Sequence, residues 1–248
     1  MRDTIATLVK MGAPARGSAT RSAARAGFEL VDLPEVPDAV LVRELDSRRR
    51  GGGAYIVRFN ARAHDTAIEA PHTFFDEGTL PLAFELFQRT NAVALFINTT
   101  HRYKTSAADI HGDHPSDVAH NATSLFQAAT EGLIQAVPAP TVVQLHGFAR
   151  GNGTTIVLSA GEKRPGDPLV TRAADALAKV TAGVKKYPDD AGELGATTNV
   201  QGQIVRQSGG RFLHIEMEAT LRRALLGDAG LRGSVLDAVA VALEERPK

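Results

Sequence analysis

The sequence predicts a three-layer α/β/α domain built on a mixed, mostly parallel sheet. Two patterns point there. From residue 66 onward, short apolar runs of strand length alternate with amphipathic stretches of helix length, the order that buries a mainly parallel sheet on both faces. Several of the central runs, such as Ala92–Asn98, are apolar almost throughout, as strands covered on both sides are. With 248 residues the chain is long enough for one such domain with a substantial core.

The elements follow in order. Residues 1–25 are rich in Ala, Arg, Ser and Thr and read as a loosely packed helix or a mobile arm. Phe28-Glu-Leu-Val31 and Tyr55-Ile-Val-Arg-Phe59 read as strands joined by a long irregular connection of prolines and the Gly51–Gly53 triplet. The expected organisation is therefore an N-terminal arm and irregular extension over 1–50, followed by an α/β domain over 51–248. Thr66–Ala70 is a strand, Thr79–Arg89 a helix and Ala92–Asn98 a strand. A polar loop leads to a helix over Asp117–Ala136, stopped by Pro138 and Pro140. Strands at Thr141–Leu145 and Thr154–Ser159 precede a helix over Pro168–Lys185. Asn199–Arg206 alternates apolar and polar residues, Phe212–Met217 is a strand, and a helix through Val235–Leu243 is capped by Ser234.

Lysine plus arginine balances aspartate plus glutamate, 28 against 28. That balance argues against nucleic acid or an acidic membrane as the main partner, since both require a basic field. With no cysteine, disulfides and thiolate ligands are excluded, so a transition-metal site must use nitrogen and oxygen. No run approaches the length needed to cross a membrane, and no signal peptide is visible in the first 25 residues. The default expectation is cytoplasmic, with a periplasmic or secreted location and the oligomeric state left open.

His72, Glu77 and His146 form a candidate two-histidine, one-carboxylate metal set. His72 follows one strand, His146 ends another, and Glu216 lies in a third. In an open α/β sheet such positions converge on the crevice outside the carboxyl ends of the strands. Three protein ligands with a fourth position left to water are the arrangement of catalytic zinc, one ion per chain. A water on zinc has its pKa lowered to about 7, and Glu216 is placed to act as its general base and then as acid to the leaving amine. Arg102 is the candidate cation for the oxyanion or for a substrate carboxylate. Asp76 rivals Glu77; the longer side chain of Glu77 favours it for reaching back from the helix start.

His72-x4-Glu77 followed by His146 resembles the metal pattern of phage poly-γ-glutamate hydrolases, which group with zinc carboxypeptidases and N-formylglutamate amidohydrolases. Phe212-Leu-His-Ile-Glu216-Met is similar to the segment carrying the catalytic glutamate in that group. Asn98-Thr-Thr-His-Arg102-Tyr resembles the formylglutamate hydrolase segment whose arginine meets a substrate carboxylate. The resemblance spans roughly residues 55–225. It implies hydrolysis of an amide or peptide bond in a small peptide-like or N-acyl amino acid substrate bearing a carboxylate. Two departures stand out: carboxypeptidases separate their first histidine and glutamate by two residues rather than four, and a His-Ser-Gly segment is replaced here by His72-Thr-Phe.

Residues 109–120 pack three histidines and three aspartates into twelve positions. One reading is a dinuclear hydrolase or phosphoesterase site. The preferred one is an active-site lid; His101, His111 and His114 would then orient substrate or shuttle protons, and Arg206 is a further candidate for binding a substrate carboxylate. A non-catalytic binding protein on the same fold is the remaining alternative. Neither glycine-rich turn, Gly151–Gly153 nor Gly161–Gly166, has the spacing of a phosphate loop. Ser159 lacks the surround of a nucleophile elbow.

Overall fold

Among the described residues, nine strands form one sheet in the order β1-β2-β3-β5-β4-β6-β9-β7-β8, sandwiched between two layers of helices. The structure is a computed structural model that describes residues 1–104, 114–149 and 152–244. Strands β1 (Phe28–Asp32), β2 (Ala39–Glu44) and β3 (Ala54–Arg58) run antiparallel to one another along one flank. β3 pairs antiparallel with β5 (Ala92–Ile97). The central block is parallel: β5, β4 (Ala63–Ala70), β6 (Thr141–Phe148) and β9 (Arg211–Glu218). β7 (Ile156–Ser159) is antiparallel to β9 and parallel to β8 (Val184–Lys186). The expected three-layer mixed fold is therefore present, with its parallel character concentrated in the four strands that carry the site.

One helical layer comprises α1 (Arg2–Met11), α2 (Arg16–Arg25), α4 (Leu125–Ala136) and α6 (Val200–Gln207). Their Ile5, Leu8, Ala19, Ala23, Phe126, Leu133 and Val205 meet Val40, Ala67, Phe96 and Val142 of the sheet. The other comprises α3 (Thr79–Thr90), α5 (Pro168–Leu177), α7 (Ala219–Gly227) and α8 (Ala229–Glu244), over Ile68, Leu95, Val143 and Leu213. Successive strand residues face opposite layers, so each strand serves both cores.

Several elements differ from the sequence reading. Residues 1–25, read as a loosely packed helix or a mobile arm, form two packed helices, and the irregular connection expected between the strands at Phe28 and Tyr55 holds a further ladder-paired strand, β2. The anchoring is by small residues: α1 lies so close to α4 that a Cβ on Gly132 would overlap the Arg2 carbonyl oxygen. Small side chains give a weak periodic signal and still exclude water. Asn199–Arg206 is helical rather than extended, because Asn199 caps Gly202 N–H and the buried positions Gln201 and Val205 lie four apart. Alternation concealed this because Gln201, though polar, faces inward. The helix expected from Asp117 starts at Leu125, where Ser124 accepts from Gln127 N–H, and residues 117–124 form turns instead. The helix from Pro168 ends at Leu177 and the chain re-enters the sheet as β8.

Candidate metal centre

β4, β6 and β9 are adjacent and parallel, so their carboxyl ends share one rim. His72 lies two residues beyond β4, and His146 faces Glu216 directly across the β6–β9 ladder. One row back, Glu69 is opposite Gln144, which is opposite His214. Residues two apart on a strand share a face, so Gln144, His146, His214 and Glu216 all point toward the layer of α4 and α6. That face is buried, so Glu216 is a carboxylate held in the interior.

Three buried groups converge. Asp76 Oδ2 lies 3.5 Å from His72 Nδ1 and 3.5 Å from His146 Nδ1, and it has no hydrogen-bond donor. Two atoms each bound to a tetrahedral zinc at about 2.0–2.1 Å stand about 3.4 Å apart, so this spacing fits such an ion. The remaining ring nitrogen of His72 donates to Asp117 Oδ1 at 2.8 Å, while that of His146 meets Gln144 Oε1 at 2.7 Å. An outer partner of this kind orients a ligating imidazole. An uncompensated buried carboxylate oxygen facing two imidazole nitrogens is costly without a cation. The donor set is therefore suited to a metal.

Glu77 stands outside this cluster. Its side chain is exposed, and the neighbouring Asp76 is the one turned inward. The cause lies far along the chain. Arg222, 6 % exposed, donates Nε to the Glu77 carbonyl at 2.8 Å and Nη1 to the Met217 carbonyl. This clamp fixes the phase of the turn after His72. Gly147 makes room for it, since a Cβ there would overlap the guanidinium.

A second donor cluster, His146, His214 and Glu216, shares one histidine with the first. Among the described residues these are the two groups whose donor atoms lie close enough to hold an ion. Glu216 Oε1 is 3.7 Å from His214 Nε2, and Oε2 is buried with no hydrogen-bond partner. Burial, reinforced by the Asp76 charge, pushes the Glu216 carboxyl up to about 8. Burial also lowers His146, to about 4, and His214 falls well below the usual histidine value for the same reason. For His72, burial works downward, but the hydrogen bond to Asp117 and the nearby Asp76 carboxylate outweigh it and raise its pKa. Asp76 and Asp117 are held well below the ordinary carboxylate range; burial opposes this, and their histidine partners prevail.

A cavity of about 230 Å³ opens onto these groups, lined by His72, Arg102, His120, His146, His214 and Glu216, with residues 194–199 opposite. Arg102 donates Nη2 to Asp117 Oδ2, places Nη1 3.3 Å from His72 Nδ1, and leaves Nε without a partner. His120 Nδ1 lies 3.2 Å from Asp117 Oδ2. His101 accepts from Tyr103 N–H and packs against Phe75, and His114 packs against Tyr103; neither lines the cavity. His111 lies outside the described residues. Arg206 donates to the Ala160 carbonyl and is not among the lining residues. Asp117, His120 and His214 were not singled out for these places. Only the two-residue step from His214 to Glu216 pointed to a shared face.

No protein-family model and no curated protein matches the chain. Solved structures match it in fold. A bacteriophage poly-γ-glutamate hydrolase superposes with a TM-score of 0.51 at 13% identity, covering 79% of this chain and 91% of that one. The zinc-free form of YndL gives 0.51 at 16%, covering 82% and 95%. N-formylglutamate amidohydrolase from Ralstonia eutropha JMP134 gives 0.50 at 15%, covering 79% and 98%. This chain has their fold. The phage hydrolase and the amidohydrolase carry the names of families that its His72, His146 and Glu216 segments resemble.

Proposed function

We propose that the protein is a zinc-dependent hydrolase of an amide or peptide bond in a small, carboxylate-bearing peptide-like or N-acyl amino acid substrate. The carrying observation is the convergence of Asp76 Oδ2 with the Nδ1 atoms of His72 and His146, the carboxylate oxygen lacking any hydrogen-bond donor. His72, Asp76 and His146 would hold one zinc; Asp76 takes the place that the sequence suggested for Glu77. When bound, zinc supplies Lewis acidity and brings the pKa of water to near neutrality.

Glu216 faces the same cavity with a free oxygen. It accepts the proton of the attacking water and returns it to the departing nitrogen, so the amine leaves neutral. Burial alone leaves this carboxyl with a pKa of about 8, protonated at neutral pH, so the base role requires the positive charge of a bound ion to bring its pKa down. The same burial lets it hold the proton between the two transfers. Arg102, aimed over His72 and half of an ion pair with Asp117, is the cation nearest a substrate carboxylate or a developing oxyanion. The solved neighbours named for poly-γ-glutamate and for N-formylglutamate support an anionic amide substrate.

The test is turnover of N-acyl glutamates and γ-glutamyl peptides by zinc-loaded protein, with Glu216→Gln as the comparison. Zinc retained and turnover lost supports the reading. Zinc lost with Glu216→Gln would move the ion to the His146–His214–Glu216 cluster and remove Glu216 as base.

A further inference from the structure

Beneath the proposed metal ligands runs a chain of buried amides. Gln144 and Gln201 are wholly buried, and Asn199 and Gln127 are 2 % exposed. Amide groups can be turned end for end with little change in shape, so their orientation must come from their partners. Here two backbone groups decide it.

Gln201 meets the Val118 carbonyl at 2.9 Å. A carbonyl only accepts, so the Gln201 NH2 group must lie there, also donating to Gln127 Oε1. Gln201 Oε1 is thereby turned to Gln144, whose NH2 donates to it at 3.3 Å and to Glu69 Oε2 at 2.8 Å. From the other side, Asn199 Oδ1 accepts the Gly202 N–H at 2.8 Å, and a backbone N–H only donates. The Asn199 NH2 group is thus left to donate to Gln144 Oε1 at 2.6 Å. Both anchors independently require Gln144 to present its oxygen to His146. At 2.7 Å from that oxygen, His146 Nε2 must carry the hydrogen.

We infer that Gln144 is the positioning residue that holds His146 in the Nε2–H tautomer, leaving the Nδ1 lone pair turned toward Asp76, and that Asn199 and Gln201 fix Gln144 in this role. The inference deepens the proposed function, since it takes His146 as a ligand. For His72 the same work falls to the Asp117 carboxylate, which only accepts. The two imidazoles are thus set by different devices, one anionic and one neutral. A neutral amide keeps a second buried negative charge away from Glu69, which Gln144 already contacts.

The test is the ring-nitrogen spectrum of His146 in uniformly 15N-labelled full-length protein at pH 8, read with and without added zinc. Its resonances are assigned by their disappearance in His146→Asn. The wild type should show the Nε2–H tautomer before any zinc is added. Gln144→Met, which keeps the length and removes the acceptor, should give mixed tautomers and a 10–100-fold weaker zinc affinity with an unchanged circular dichroism spectrum. A wild-type Nδ1–H tautomer would overturn the inference, whether or not the variant folds. So would a folded Gln144→Met with tautomer and zinc affinity both unchanged. The Nε2–H tautomer in a protein that takes up no zinc would leave the positioning role standing and sink the hydrolase reading instead.

Discussion

Replacing Asp76 with Asn removes one negative charge from the donor cluster and leaves the volume of a residue only 2 % exposed almost unchanged. A unit charge at 3.5 Å, the distance to each histidine nitrogen, couples to a second unit charge by about 4–5 kcal/mol at an effective dielectric of 20. Retaining even half of that coupling toward a divalent ion implies a zinc affinity at least about 100-fold weaker. At a free zinc concentration 100 times the wild-type Kd, binding stabilises the wild type by about 2.7 kcal/mol. For a chain of this size that is a rise in melting temperature of about 5–10 °C. With a 100-fold weaker site the same zinc contributes only about 0.4 kcal/mol, a rise of under about 2 °C. Glu77→Gln, altering an exposed side chain, should keep the full rise. The assay is thermal unfolding with and without zinc, together with metal content by elemental mass spectrometry. A zinc-dependent rise that survives Asp76→Asn and vanishes in Glu77→Gln would refute the assignment of Asp76.

Two further expectations concern the frame of the site. Burial pushes Glu69 up to about 7, against the pull of Thr130 and Gln144, from an unfolded value of 4.5. The folded chain therefore holds this proton more tightly, and stability falls as pH rises from about 4.5 to 7, by roughly 3 kcal/mol in all. Glu69→Gln can still accept from Gln144, so in chelator-treated protein it should match the wild type near pH 4.5 and exceed it by up to that amount above pH 7. A pH-independent difference in denaturant midpoints would show that Glu69 does not titrate as described. Gly132→Ala drives a Cβ into the Arg2 carbonyl and against Ile5, and should cost about 1–3 kcal/mol in urea unfolding. A neutral result would mean that α1 is not seated on α4.

How far the sequence revealed the site depended on how local the signal was. His72, His146 and Glu216 were legible because apolar runs with clear breakers mark strand ends, and parallel neighbours bring such ends to one rim. Asp76 against Glu77 was not, because the turn between β4 and α3 has its phase set by Arg222, 145 residues further on. The polar row of Glu69, Gln144 and His214 was equally hidden. Each residue breaks an apolar strand pattern, and only the ladder register shows that they meet. The helical and mobile-arm readings of residues 1–25 could not be separated from the sequence, because alanine and glycine faces pack closely while giving little hydrophobic contrast.

The most direct test of the account is zinc stoichiometry measured beside amide hydrolysis in the wild type, Asp76→Asn and Glu216→Gln. The account predicts one zinc per wild-type chain, lost in Asp76→Asn and kept in Glu216→Gln, with turnover in Glu216→Gln reduced by about 10²–10⁴-fold. A wild-type chain that hydrolyses such amides without zinc, or a Glu216→Gln variant that keeps full turnover, would contradict it.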